Sequence, residues 1–377
     1  MKIIGIKAVG LPRFKEQIEI GFTARQRVYE KDRLSLYELF GNLYQNPTSV
    51  IIGTNASGKT SVLKLINFVF DMMNSEPVNH IDNRDILGNT ENAVITTWFY
   101  SQECIFKLET SISYKDGRYI IEAEKLFRKS KGVARTREEI LEFDESMLVL
   151  RRDNDDPYLS DDVSIMVAWI KKQNDSLIFE HIHHDVDGRA LLLCEEIPDE
   201  LLSFLDPNVE ELSFKTINGI KSAHLRLKGE KEVYINDYRE LYKYLSSGTV
   251  KGIAVFAKAM EILRLGGYMI IDGIEHDLDR SVVTTLIRFF MDVKINRNGS
   301  ALIFSTYCPE LLDEYDRNDC IYITYNQGGI KLKRLDAIWK RKDIKKSDAY
   351  QSGLLGDTVP SYEKYMHLKR MMTEYTS

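Results

Sequence analysis

Residues able to do chemistry cluster first at Gly53-Thr54-Asn55-Ala56-Ser57-Gly58-Lys59-Thr60, which fits GxxxxGK[ST] at every position. Glycines at both ends let such a loop curl until successive backbone N–H groups face inward on phosphate oxygens, and a helix starting there adds the positive end of its dipole. Lys59 supplies a full charge, and Ser61 follows in the first helical turn. The Thr60 hydroxyl suits Mg²⁺, which prefers oxygen ligands in near-octahedral order and bridges terminal phosphates. The loop needs a strand before it and a helix after it. Ser49–Ile52 reads as a buried strand, and Val62, Leu63, Ile66, Val69, Phe70 and Met73 recur at helical spacing from Thr60 to about Asn74. ATP and Mg²⁺ are the expected cofactors, with Gly53 to Ser61 as the nucleotide-contacting segment and Lys59 among the catalytic residues.

Further along, Leu245-Ser246-Ser247-Gly248-Thr249 opens a helix with apolar positions Val250, Ile253, Ala257 and Met260. A serine hydroxyl and glycine amide at a helix start can hold an anion; the plainer alternative is an N-cap serine. The apolar run Tyr268–Ile271 then ends in Asp272-Gly273-Ile274-Glu275-His276-Asp277-Leu278-Asp279, and Ala301–Ser305 leads into Thr306-Tyr307-Cys308-Pro309.

In this order the motifs resemble those of ABC-like ATPases: a Walker A loop, an LSxG signature, a Walker B strand with its D-loop, and a switch strand. The resemblance covers about Met1 to Phe127 and Leu241 to Thr324. It implies that Asp272 joins Thr60 on the Mg²⁺ and that Asp279 is the D-loop aspartate. It also implies that Ser246 and Gly248 cap the γ-phosphate held by a second subunit. Two positions depart from the family. Gly273 stands where a glutamate usually polarises water, and a glycine cannot act as a base. The nearest carboxylate is Glu275, matching the second acid of the DEhE pattern in overcoming-lysogenisation-defect ATPases; its alternative is a solvated turn residue. Tyr307 replaces the switch histidine. A phenol can hydrogen-bond a γ-phosphate oxygen but lacks imidazole chemistry near neutral pH; otherwise Tyr307 merely packs at the strand end. Gln102 is the candidate Q-loop glutamine, or else an exposed turn residue.

Within that family the chain looks most like the small single-chain bacterial AAA-type class related to RecF, SMC and overcoming-lysogenisation-defect ATPases, found in anti-phage defence systems. A homodimer or larger homo-oligomer closing on ATP is implied, acting on a separately encoded nuclease or toxin. No heptads suggest an SMC arm, and the residues after the core are too few for a nuclease domain. The alternatives are a RecF-like DNA-repair ATPase and a scaffold that binds ATP but hydrolyses it slowly.

The elements that must hold these residues read as an interrupted α/β pattern. The expected fold is a P-loop NTPase of ABC type, a mostly parallel sheet flanked by helices, with an antiparallel β lobe and an inserted helical subdomain. Residues 1–127 form the first part of the core and 128–240 the insertion. Residues 241–330 carry signature, Walker B and switch, and 331–377 make a basic and aromatic tail. Strands are expected across 92–127, and helices near Val163–Lys172, Asp199–Leu205, Arg280–Asp292 and Pro309–Tyr315. In the tail, Lys340-Arg341-Lys342-Asp343-Ile344-Lys345-Lys346 beside Trp339, Tyr350, Tyr362 and Tyr365 suits either a nucleic-acid or partner patch, or a solvated helix face.

Across 377 residues the formal net charge is −6, so no global positive field draws the molecule to nucleic acid and any such contact is local. The cysteines, Cys104, Cys194, Cys308 and Cys320, lack CxxC spacing and read as reduced thiols. His181, His183, His184 and Asp185 read as loop residues more than as a metal site. The N-terminus MKIIGIKAVGLPRF has no leader-like apolar stretch, and no segment reads as a membrane span. A cytoplasmic location, with no membrane partner, is expected.

Overall fold

A computed structural model describes the chain except residues 134–135, 154–158, 183–196, 218–219, 342, 357, 359–361 and 377. The protein is mixed α/β with several sheets. It divides into two units, one of Met1–Arg27, Val50–Asp175 and Thr306–Ser377, the other of Val28–Ser49 and Ser176–Ser305.

The first unit contains a six-stranded antiparallel sheet. Its order is Ile18–Gly21, Lys2–Val9, Ala93–Ser101, Cys104–Lys115, Arg118–Ser130 and Leu148–Asp153. Two tight hairpins set its register. Asp116 and Gly117 have φ of 51° and 82°, and Gln102 and Glu103 have 46° and 63°, the positive values of a two-residue turn whose twist matches the flanking strands. Asp-Gly is the usual residue pair for this; Gln-Glu is not, and adopts it because the long ladder on either side fixes the crossing.

The same unit carries parallel pairing. In Thr48–Ile52 every residue is buried, and Val50, Ile51 and Ile52 pair with Ile321, Tyr322 and Ile323. The strand Ile330–Arg334 returns antiparallel to Ile321–Asn326, so this sheet is mixed. The helix Lys59–Met73 begins at the end of the glycine loop and buries Val62, Leu63, Leu65, Ile66, Phe68, Val69, Phe70, Met72 and Met73. A helix apolar nearly all round is a core helix, more enclosed than the one-faced helix its spacing suggests.

In the second unit Phe179–Ile182, Tyr268–Ile271 and Ala301–Thr306 run parallel in that order. The helices Ser247–Leu265 and Arg280–Met291 follow the chemistry-bearing turns. A small antiparallel sheet of Val209–Ile217, Ile220–Leu227 and Val233–Ile235 shares one apolar cluster with the helix Asp199–Leu205 and the start of the helix Ser247–Leu265. Leu245 and Val250, flanking Ser246–Thr249, are both buried in that cluster.

Three sequence expectations differ in detail. The stretch 128–240 is shared between the units: Leu148–Asp153 extends the first unit's antiparallel sheet by pairing with Arg118–Ser130, whereas the small sheet of 209–235 belongs to the second. The helix expected from Val163 begins at Met166, because buried Glu124 accepts hydrogen bonds from Ser164 Oγ and Ile165 N and holds the preceding turn on the sheet. The helix expected at Pro309–Tyr315 is a 3-10 helix, Pro309–Glu314.

Candidate nucleotide-binding site

The glycine loop lies wholly in the first unit, and its glycines are required by space. A Cβ on Gly53 would meet Thr324 Oγ1 at 2.1 Å and Ser57 Oγ at 2.2 Å. Gly58 has φ of 104°, and a Cβ there would meet the Ile330 side chain at 2.6 Å. Ala56 also takes a positive φ, 60°, which for an L-residue costs about 1–2 kcal/mol. Asn326 Nδ2 donates to Ala56 O at 3.0 Å and helps hold that conformation. Ser57 faces inward, 3% exposed, sharing a 2.6 Å hydroxyl hydrogen bond with Thr324.

Lys59 folds back over the loop, donating from Nζ to Gly53 O at 2.8 Å and Thr54 O at 3.0 Å. Asn55, Ala56 and Thr60 are exposed, while Thr54, Gly58, Lys59 and Ser61 are half-buried. A cation is thus held against a curled glycine loop whose far end is a helix start, the donor set that suits a phosphate chain. The exposed Thr60 hydroxyl in the first helical turn is an oxygen ligand of the kind Mg²⁺ takes.

The second group of motif residues lies in the second unit. Asp272, 8% exposed, sits at the end of the buried strand Tyr268–Ile271. Ser305 Oγ donates to Asp272 Oδ1 and accepts from Gly273 N at 2.8 Å, while Ser305 O accepts from Ile274 N at 3.1 Å. One serine therefore orients the carboxylate and fixes the turn after it. Gly273 has φ of 62°, which explains glycine at this position on backbone grounds alone. Glu275 is half-buried within that turn, so it is more enclosed than a solvated turn carboxylate. Asp279 is exposed and precedes the helix Arg280–Met291 as its N-cap residue, without a side-chain cap bond.

Ser246 is the N-cap of the helix Ser247–Leu265, its Oγ accepting from Thr249 N at 3.0 Å. The plain capping role is thus present, on a side chain that remains exposed. Gly248 is also explained locally: a Cβ there would meet Asp277 O at 2.6 Å. Asp277 itself has φ of 60°, and its carboxylate accepts from Ser247 Oγ at 3.3 Å. The turns around Ser246–Gly248 and Asp277 are consequently one packed feature of the second unit.

Tyr307 is 52% exposed, so core packing does not account for it. Gln102 occupies the first position of a two-residue hairpin turn and donates from Nε2 to Gln173 O at 3.2 Å; the turn explains it without a nucleotide. The tail is reshaped by burial. Trp339 and Tyr350 are 7% and 5% exposed, which removes them as stacking platforms. Lys346 donates to Tyr315 O, and burial depresses its pKa. Arg341 pairs with Asp343 at 2.6 Å. Of the basic run, Lys340 and Lys345 are exposed. Tyr365 is 55% exposed in the helix Tyr362–Thr376.

Lys342, Cys194, His183, His184 and Asp185 lie outside the described residues. Cys104, Cys308 and Cys320 are free thiols. Among the described residues no group of three or more His, Cys, Asp or Glu is placed to hold a metal, and no helix is long and apolar enough to cross a membrane.

No protein-family model matches the chain, and no curated protein matches it.

Four residues to which motif reading gives no role support these features: Thr324 and Asn326 at the glycine loop, Ser305 at Asp272, and Asp277 against Gly248. Ser305 and Asp277 fall inside the motif stretches, whereas Thr324 and Asn326 carry no motif signal. Thr324 reaches Ser57 across 267 residues of sequence, and only strand pairing brings them together.

Proposed function

We propose that this chain is an ATP-binding, Mg²⁺-dependent P-loop ATPase of ABC-like type with slow turnover. The observation that carries the reading is the glycine loop between a buried strand and a core helix, with the Lys59 ammonium held on the carbonyls of Gly53 and Thr54. Bound Mg²⁺ would neutralise charge on the terminal phosphates, as that ion does in phosphoryl transfer. Lys59 would leave its carbonyl partners for phosphate oxygens, and Thr60 would offer its hydroxyl to the metal. In the second unit, motif order assigns Asp272 to the metal shell and Glu275 to water activation. It gives Tyr307, which belongs to the first unit, a γ-phosphate contact, and Asp279 with Ser246 and Gly248 a role toward a second copy. A carboxyl-free Gly273 supports slow hydrolysis.

The remainder of the proposal follows from the motif resemblance. ATP would close a homodimer or larger assembly that senses a phage signal and restrains or releases a separately encoded nuclease or toxin in the cytoplasm.

Mg²⁺-dependent ATP binding by the wild type and by Lys59→Ala is the deciding measurement. Loss of binding in the variant is expected; equal binding by the two proteins overturns the site. Co-purification of a second product of the native operon tests the effector.

A further inference from the structure

A cleft of about 350 Å³ opens in the first unit beside the antiparallel sheet, near the lower end of the roughly 300–1,000 Å³ typical of small-molecule sites. The nucleotide reading does not use it. Its floor is aromatic and rigid. Phe106 stacks on Phe99 at 4.9 Å, and Trp169 meets Phe106 edge-on at 5.4 Å. Phe106 and Trp169 both line the cleft. Val149 and Leu150 form another wall from the edge strand, 51% and 36% exposed, so apolar surface faces the opening from two sides.

Two cations complete the lining, Arg128 from a strand and Lys172 from the helix Met166–Gln173. Arg128 Nε donates to Cys104 Sγ at 3.2 Å, which fixes the guanidinium at the wall. Among the described lining residues there is no carboxylate. The Gln102 amide, donating to Gln173 O at 3.2 Å, ties the hairpin tip to the helix end. The unusual Gln-Glu hairpin thereby gains a purpose: it braces one end of the cleft.

We propose that this cleft binds a small organic anion, its flat apolar body against Phe106 and Trp169 and its carboxylate or phosphate on Arg128 and Lys172. Arg128 and Lys172 are both exposed, so a purely apolar ligand would leave two cations at the opening unused, whereas an anionic group gains charge-assisted hydrogen bonds from them. A bare inorganic anion would leave the exposed apolar wall of Val149 and Leu150 in water and forgo its burial. One molecule carrying both features satisfies the lining, and the Arg128 fork suits a planar or tetrahedral oxyanion.

The test uses the full chain with naphthalene-1-carboxylate, AMP and inorganic phosphate as probes. Binding is read by calorimetry, and by Trp169 fluorescence in a Trp98→Phe, Trp339→Phe background. One aromatic anion is expected to saturate a single site: naphthalene-1-carboxylate if the natural ligand is a carboxylate, AMP if it is a nucleotide. Arg128→Ala and Lys172→Ala should each weaken it about tenfold. Ala168→Trp should block it by filling space on the helix, and Lys59→Ala should leave it unchanged, which separates this cleft from the glycine loop. The proposal is overturned if neither aromatic anion saturates by about 10 mM, well above ordinary ligand dissociation constants. Affinity insensitive to both charge removals also overturns it, as does phosphate that, in the Lys59→Ala background and read by Trp169 fluorescence, binds as tightly as the aromatic probes do.

Discussion

The hydroxyls of Ser57 and Thr324 meet at 2.6 Å beneath the glycine loop, where both residues are almost fully buried. Thr324 Oγ1 also reaches Ile52 O at 3.3 Å, the last residue of the strand feeding the loop. The loop's inner surface is therefore anchored to the neighbouring strand by a side chain far away in sequence. Thr324→Val keeps the shape and removes the partner. It is expected to cost about 1–3 kcal/mol of stability, the range for a buried polar group left unsatisfied. Chemical denaturation checks the loss, and nucleotide affinity should fall with it.

Glycine at 273 is set by backbone conformation. Gly273→Glu restores the carboxylate usual at that position in the resembling family, but at a φ of 62°. Left-handed backbone costs an L-residue about 1–2 kcal/mol. The variant should be less stable by that amount and should hydrolyse ATP no faster than wild type. Glu275→Gln, by contrast, is expected to slow steady-state hydrolysis by about 10²-fold, the lower range for losing a general base. Hydrolysis unchanged by Glu275→Gln removes that residue as base.

At the start of the helix Ser247–Leu265, Gly248→Ala would drive a methyl group to 2.6 Å from Asp277 O. The turn holding Asp277, itself at positive φ, must then shift. A loss of about 1–3 kcal/mol is expected, as for overpacking of a tight contact, read as a lowered midpoint of thermal unfolding. Ser247→Ala removes only the 3.3 Å bond to Asp277 and should cost less.

Asp71, in the last turn of the helix Lys59–Met73, has its pKa pushed up to about 6 by burial, with Glu76 and Asp82 adding like charge. A carboxyl that holds its proton more tightly when folded adds stability in full below its unfolded value, and that contribution is lost as pH rises through about 6. Asp71→Asn should therefore be more stable than wild type at pH 7. Solvent screening of this half-buried group limits the gain to about 1 kcal/mol. The difference should close as the pH falls toward 4. Paired denaturation curves at several pH values check it.

Much of the frame is local and so readable along the chain. The buried strand, glycine loop and helix at 48–73 announce themselves by composition and by a 3.6-residue period, and Tyr268–Ile271 and Ala301–Thr306 by short apolar runs. What spacing cannot show is which strands become neighbours. Thr324 under the loop, Ser305 beside Asp272 and Asp277 against Gly248 are ordinary residues until the sheets form. The same holds for the tail, where charge and aromatics suit either an open binding face or a solvated helix face. Packing of the helix Lys346–Gln351 against the 3-10 helix Pro309–Glu314, with Ser347 N donating to Asp313 at 3.1 Å, instead folds Tyr350 inward. Gln102 offers two readings, a ligand contact or an exposed turn residue, and the structure places it as an exposed residue of a tight hairpin turn.

The Lys59 ammonium on the Gly53 and Thr54 carbonyls has a thermodynamic corollary. On the proposed reading an incoming phosphate would not meet an idle charge; it would trade places with two backbone oxygens already hydrogen-bonded at 2.8 and 3.0 Å. Net affinity for the proposed triphosphate would then measure a swap of partners, smaller than the gross attraction between lysine and phosphate. Shortening the side chain would also deprive the resting loop of an internal clasp, so a lysine variant is expected to loosen the empty loop even before any nucleotide arrives.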